Sequence, residues 1–350
     1  MRSALATLLL ITTCTLAAFL AALLGLPLPY LLGPLIASAT ICLAAKPILP
    51  DEFTYLTGLR LVFIAVIGVM IGAQVTPDLF SDARQLLLSL GALIVFVSVA
   101  ITFNYAVFHG LGKYDRPTAF YSSMPGGLYE SIAFGEEAGA DPARLMLQQF
   151  LRVIVVVTLV PIGLSLWLGE AVGSAGGMTL AKPDVPWSSL PVVIIAIGLG
   201  MGLGALLRLP ARQLTGPMAV GAALSLSGVI DLDIPQWLVN LALIVVGTAL
   251  GTRFQGITFQ RVVQGMGLAL LSVGGMLVLA AGIALFLSTQ TDHGFDMMLI
   301  SFAPGGVTEM TLVALSLTGN PAIVTLHHIA RILITVVILV ISSKWMRRRF

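Results

Sequence analysis

Apolar residues in this chain come in long unbroken runs rather than in the one-face patterns of a soluble domain. Ten runs of roughly 17 to 27 residues, enough to cross a bilayer as helices, fall in two sets of five. The first set lies at about 4–26, 29–45, 57–75, 86–111 and 144–169. The second lies at about 190–209, 214–231, 237–254, 262–288 and 321–343. Between the fourth and fifth run of each set sits a shorter segment, at about 117–140 and 297–319, broken by Pro-Gly-Gly. The pattern predicts an all-α polytopic membrane protein. The first run begins where a signal peptide would lie, but its bilayer length and its place in the pattern predict a retained span.

The two sets share more than their spacing. Pro125-Gly126-Gly127-Leu128-Tyr129-Glu130 returns 179 residues later as Pro304-Gly305-Gly306-Val307-Thr308-Glu309. Each copy is followed at equal distance by Pro-Ala and then by an arginine in an apolar run: Pro142-Ala143 with Arg152, Pro321-Ala322 with Arg331. Upstream, Gly33-Pro34 answers to Gly216-Pro217, and Gly68-x-x-x-Gly72 to Gly247-x-x-x-Gly251. Small residues one turn apart let helices approach closely in lipid, so these glycine pairs predict packing faces. The expected organisation is a first repeat over 1–169, a linker over 170–189 and a second repeat over 190–350.

Composition sharpens the picture. The chain is 58% hydrophobic and 10% charged, against about 25% charged in a typical globular domain. The net charge of +2 is sorted by side of the membrane rather than gathered into a patch. Lys and Arg collect on the cytoplasmic side, and this decides whether the Pro-Gly-Gly segments cross or turn back. If both turn back, there are ten spans and both termini are cytoplasmic. Arg2, Lys46, Arg60, Lys113, Arg116, Arg144, Arg208, Arg212, Arg253, Arg261, Lys344 and Arg347 to Arg349 then lie inside. Arg84 and Lys182 lie outside, and Arg152 and Arg331 lie within the membrane. If both cross, several of the cytoplasmic cations move outside. The re-entrant arrangement fits the charge bias better. An odd number of spans per repeat then inserts the second repeat upside down, as in many secondary transporters.

The polar exceptions carry the candidate chemistry. Glu130 and Glu309 are the two acidic residues that do not fall at span ends or in loops. A carboxylate at membrane depth commonly marks an ion or substrate path; the plainer reading is a first-turn glutamate facing a helix dipole. Arg152 and Arg331 follow Gln148 and His327 by four residues, so each pair shares a helix face; Gln149 and His328 stand one position on. The arginines suit an anionic ligand or a buried bridge to a hairpin carboxylate. Ser122, Ser123 and Ser301, ahead of the glycines, are placed to line the hairpin tips or to bond backbone. His327-His328 does not present ligand spacing for a metal, and Cys14 and Cys42 offer neither a disulfide framework nor a metal motif. The expected substrate- or ion-binding set is Ser122, Ser123, Pro125, Gly126, Gly127, Glu130, Gln148, Arg152, Ser301, Pro304, Gly305, Gly306, Glu309, His327, His328 and Arg331. No catalytic residue, cofactor or metal is expected.

The duplicated P-G-G-x-x-E, the following Pro-Ala and the intramembrane arginine together resemble the membrane AbrB family. The resemblance covers both halves of the chain. It implies a bacterial inner-membrane protein with an internal duplication, in a family whose members carry the labels ammonia monooxygenase or regulator. A monooxygenase needs copper or another oxygen-activating centre, for which no ligand set is visible. The soluble DNA-binding regulators of similar name use a small β-rich domain, and nucleic acid is not an expected partner. The expectation is a secondary transporter of a small anionic metabolite coupled to H⁺ or Na⁺, working in the lipid bilayer, with room for a homo-oligomer. A membrane sensor that signals through a partner is the rival class, and a membrane oxygenase comes third.

Overall fold

The computed structural model describes residues 2–44, 53–73, 75, 83–169, 190–209, 211–227, 234–315 and 321–346. The expected linker, 170–189, lies wholly outside them. The described residues form fourteen α-helices and no strand. In chain order they are α1 (Arg2–Leu23), α2 (Pro29–Ala44), α3 (Thr57–Gly72), α4 (Ala83–Ala106), α5 (Arg116–Ser122), α6 (Leu128–Glu137), α7 (Pro142–Leu168), α8 (Leu190–Leu206), α9 (Arg212–Ser227), α10 (Gln236–Gly251), α11 (Phe259–Ser288), α12 (Phe295–Phe302), α13 (Val307–Leu315) and α14 (Pro321–Met346). A π-type turn over Val107–Leu111 prolongs α4.

Ten of these helices coincide with the ten apolar runs. Six segments, in α1, α4, α7, α10, α11 and α14, are long and apolar enough to cross a membrane. All but the α10 segment leave half or more of their length unburied, and together the six make this a multi-pass membrane protein. The helices α2, α3, α8 and α9 have only 16 or 17 residues, or roughly 24 to 26 Å at 1.5 Å per residue. The remaining four, α5, α6, α12 and α13, are 7 to 10 residues long. These last four are too short to span by themselves.

The chain divides into two compact units, and each takes segments from both halves of the sequence. The first comprises Met1–Leu79, Pro161–Phe259 and Thr311–Ala322. Its packing is made by glycine. A Cβ placed on Gly68 or Gly72 of α3 would fall on the backbone carbonyls of Leu214 or Met218 in α9. One placed on Gly247 or Gly251 of α10 would fall on those of Leu31 or Leu35 in α2. The glycine pairs are therefore helix-packing faces, as their spacing predicts, and each serves a helix from the other half of the sequence. Pro34 and Pro217 sit inside the two partner helices. The Ser225 hydroxyl donates to the carbonyls of Ala73 (3.0 Å) and Val75 (3.4 Å), closing the end of α3.

The second unit comprises Phe80–Val160, Gln260–Met310 and Ile323–Phe350. It holds α4, α5, α6 and α12, most of α7, α11 and α14, and the first turn of α13, whose remainder from Thr311 belongs to the first unit. Tyr121, Met124, Ala140, Leu145 and Leu339 form a buried apolar cluster that seats the first short pair against α14. All sixteen expected site residues lie in this unit.

Candidate functional site

Each short pair is a helix, a break and a second helix. The first begins at Asp115, whose carboxylate accepts the Thr118 N–H at 3.2 Å. Burial acts to raise the Asp115 pKa, but the Thr118 hydrogen bonds and the Arg144 charge together hold it below the ordinary value. The Thr118 hydroxyl in turn accepts the Asp141 N–H at 2.8 Å, tying the start of α5 to the start of α7. At Pro125 and Pro304 the missing N–H and the fixed φ end regular helix. Gly127 then adopts φ 60° and ψ 57° as the residue before α6, a left-handed conformation that glycine enters without strain.

A helix that stops leaves its last carbonyls without partners in the chain ahead. Here side chains supply the donors. In the first break, Gln149 Nε2 donates to Tyr121 O at 3.1 Å, and Arg152 Nη1 donates to Met124 O. In the second, His328 Nε2 donates to Ile300 O at 3.0 Å, and Arg331 Nη1 donates to Ala303 O. All four bonds join residues 28 apart. The second pair repeats the first at the 179-residue offset, Tyr121 to Ile300 and Met124 to Ala303. Two bonds have no such counterpart. Asn104 of α4 donates from Nδ2 to Ser123 O at 3.3 Å, and Arg331 Nη2 donates to Gly305 O.

The arginines thus hold backbone rather than carboxylates. Among the described residues neither guanidinium has an ion-pair partner. The bridge expected as one reading of Arg152 is not formed, because the carbonyls at the break lie within reach and need donors. Arg152 is 7% exposed and Arg331 1%. The Arg331 guanidinium also reaches the other break: its Nε lies 3.6 Å from the place a Cβ on Gly126 would occupy. The Thr335 hydroxyl, one turn further along α14, lies 3.2 Å from the same place.

Glu130 and Glu309 stand in the first turns of α6 and α13, at the positive end of each helix dipole. Each side chain folds back over the second glycine of its motif. The Glu130 Oε2 is 3.4 Å from a Cβ position on Gly127, and Glu309 Oε2 occupies the Cβ position of Gly306. Glu130 is partly exposed and Glu309 is buried. Neither carboxylate has a hydrogen-bond or ion-pair partner among the described residues.

The other expected residues divide. Pro125, Gly126, Gly127, Pro304 and Gly305 are buried in the breaks. Ser123 and Ser301 spend their hydroxyls on Phe120 O (2.6 Å) and Met297 O (2.8 Å), within their own helices. The Ser122 hydroxyl is buried without a partner. Gln148 turns away from the break and donates to the Tyr114 hydroxyl (3.0 Å) and Gly265 O (3.3 Å). His327 Nδ1 bonds Ile323 O at 2.9 Å in its own helix. A carbonyl only accepts, so the bonded nitrogen of each histidine carries the proton. The opposite nitrogens, His327 Nε2 and His328 Nδ1, are buried without partners, as are Gln148 Oε1, Gln149 Oε1 and both arginine Nε atoms. Among the described residues no three His, Cys, Asp or Glu side chains gather as a metal site.

Asn104 was not among the expected residues. It is 1% exposed, and its Oδ1 accepts the Ser272 hydroxyl of α11 at 2.8 Å. An asparagine inside a long apolar run was the available signal, since such a side chain must find partners in lipid.

The chain is 25% identical over 304 residues to the "Putative regulator AbrB" of Escherichia coli (strain K12), covering 85% of this chain and 84% of that one. It is 23% identical over 341 residues to the "Uncharacterized protein YhjN" of Bacillus subtilis (strain 168), covering 92% and 88%. A family model described as "Transition state regulatory protein AbrB" matches residues 40–347, which take in both breaks, their arginines and both glycine pairs. The chain belongs to the AbrB family.

Proposed function

We propose that this protein is a secondary transporter of a small anionic metabolite, built from two inverted five-span repeats, each with a re-entrant hairpin. The observation that carries the reading is the meeting at Arg331 of two helix breaks, one capped by the guanidinium and the other packed against it. Discontinuous helices facing one another near the midplane are the usual site of substrate and ion binding in such transporters. The recurrence of the same bonds at a fixed offset supports the duplication. The charge bias supports cytoplasmic termini in a bacterial inner membrane.

Electrostatics favours a coupled anion. Helix ends carry about half a unit charge, negative at the carbonyl end and positive at the N–H end. At each break the arginine faces the negative end and the glutamate the positive end, so the tip is close to neutral while the glutamate is ionised. Protonating Glu130 or Glu309 leaves the tip positive, which an incoming anion offsets. The partnerless Gln149 Oε1 and His328 Nδ1, on the side chains that reach the breaks, are available to a ligand's polar groups.

The second reading is a sensor that binds a ligand and signals through a partner, and the printed names of the family and of one relative favour it. A thermal-shift screen of purified protein against small carboxylates and other anionic metabolites, at two pH values and with and without Na⁺, should first identify a ligand. Uptake and efflux of that ligand in proteoliposomes are then compared for wild type, Glu130→Gln and Glu309→Gln. Flux that either substitution cuts at least tenfold is expected. Binding without flux supports the sensor instead, and unchanged flux in both variants removes the glutamates from the mechanism.

A further inference from the structure

We propose that the Arg331 guanidinium is a tethered cation that permanently fills the carbonyl site at the second helix break, closing it to a free coupling cation. An unwound helix end in a transporter offers carbonyl oxygens and a partial negative charge, and in many transporters a Na⁺ ion takes that place. At this break the oxygens of Ala303 and Gly305 are both taken by one guanidinium, whose planar fork matches two acceptors at once. Arginine keeps its proton at any physiological pH, so the positive charge is a permanent part of the fold. Its Nε, buried without a partner, lies beside Gly126 in the other break. A Na⁺ ion and this guanidinium exclude one another. The first break is served more thinly, by a single Nη of Arg152, with Gln149 and Asn104 on neighbouring carbonyls.

The occupancy itself does not rest on transport. Its consequence does: if the protein is a coupled transporter, Na⁺ is not bound at the second break.

The test is chemical rescue. Arg331→Gly removes the cation but leaves the carbonyls, so a soluble cation of the same shape should bind there. Melting of the purified protein in detergent is followed with methylguanidinium, methylammonium or choline at equal ionic strength. Arg331→Gly is expected to melt roughly 10 °C below wild type, since two buried carbonyls lose their donors. Methylguanidinium should recover about half of that loss with saturation in the millimolar range. Methylammonium, a point charge without the fork, should recover far less, and wild type should not respond. Absence of rescue in the variant, or an equal gain in wild type, overturns the proposal. Should Arg331→Gly not survive purification, Arg331→Gln keeps one N–H without the charge and is expected to melt more than about 5 °C below wild type. A wild-type melting temperature for Arg331→Gln overturns the proposal equally. Because melting requires neither substrate nor flux, a protein that fails to transport still shows the rescue. A transporter without rescue fails this inference alone.

Discussion

The two helix breaks expose the same backbone groups and are held by different means. In the first, the carbonyls of Tyr121, Ser123 and Met124 each receive a donor from a separate residue, Gln149, Asn104 and Arg152. In the second, His328 serves Ile300 while Arg331 serves both Ala303 and Gly305. One break spreads its load over two helices, α4 and α7; the other concentrates it on α14. Even the glycines differ: Gly127 is needed for its left-handed backbone, whereas Gly306 makes room for the Glu309 carboxylate. What the breaks share is where a donor must stand. Which side chain carries it is open, so glutamine and histidine do the same task at matched positions.

This contrast can be broken experimentally. Arg331→Ala strands two carbonyls and should cost about 2–6 kcal/mol, at about 1–3 kcal/mol for each buried acceptor left unpaired. Arg152→Ala strands one and should cost less, about 1.5–3 kcal/mol. Unfolding of the two variants side by side decides it; equal losses would mean that the two breaks bear equal load. Asn104→Leu comes next. It leaves Ser123 O and the Ser272 hydroxyl without their partner, and a loss of about 1–3 kcal/mol is expected. Were Asn104→Leu neutral, the first break would depend on α7 alone. The smallest effect is expected from exchanging His328→Gln and Gln149→His. Each keeps one N–H for its carbonyl, and a change below about 1 kcal/mol follows, whereas His328→Leu should lose about 1–3 kcal/mol.

Much of this was legible in the chain. Ten apolar runs became ten helices, because in lipid a backbone must satisfy itself and helix is the economical way. Pro125 and Pro304 marked the breaks because a missing N–H is a local property. Partner choice was not legible. An arginine in an apolar run announces that something must meet it, and the carboxylates in the matching motif were the evident candidates. The actual acceptors are carbonyls, which every residue possesses and which leave no trace in sequence. Gln148 and His327 shared a face with the arginines by spacing, yet it is Gln149 and His328, three residues before each arginine, that reach the breaks. Asn104 lies outside the repeated pattern, and repetition does not mark it. The division into units was hidden for a different reason. It depends on which helices pack together, and those contacts link residues far apart in the chain.

The exchanged glycine faces bear on how the protein is made. Gly68 and Gly72 of α3 have no surface to meet until α9 is synthesised, and α2 waits likewise for the Gly247 and Gly251 face of α10. At ribosomal speeds of about 5–20 residues per second, that delay is on the order of ten seconds. During this time close-packing surfaces stand open to lipid and to other nascent chains. Residues 1–169 expressed alone should be cleared rapidly in pulse–chase, and co-expression with 190–350 should lengthen their lifetime. Equal lifetimes with and without the second fragment would mean that the first half matures unaided.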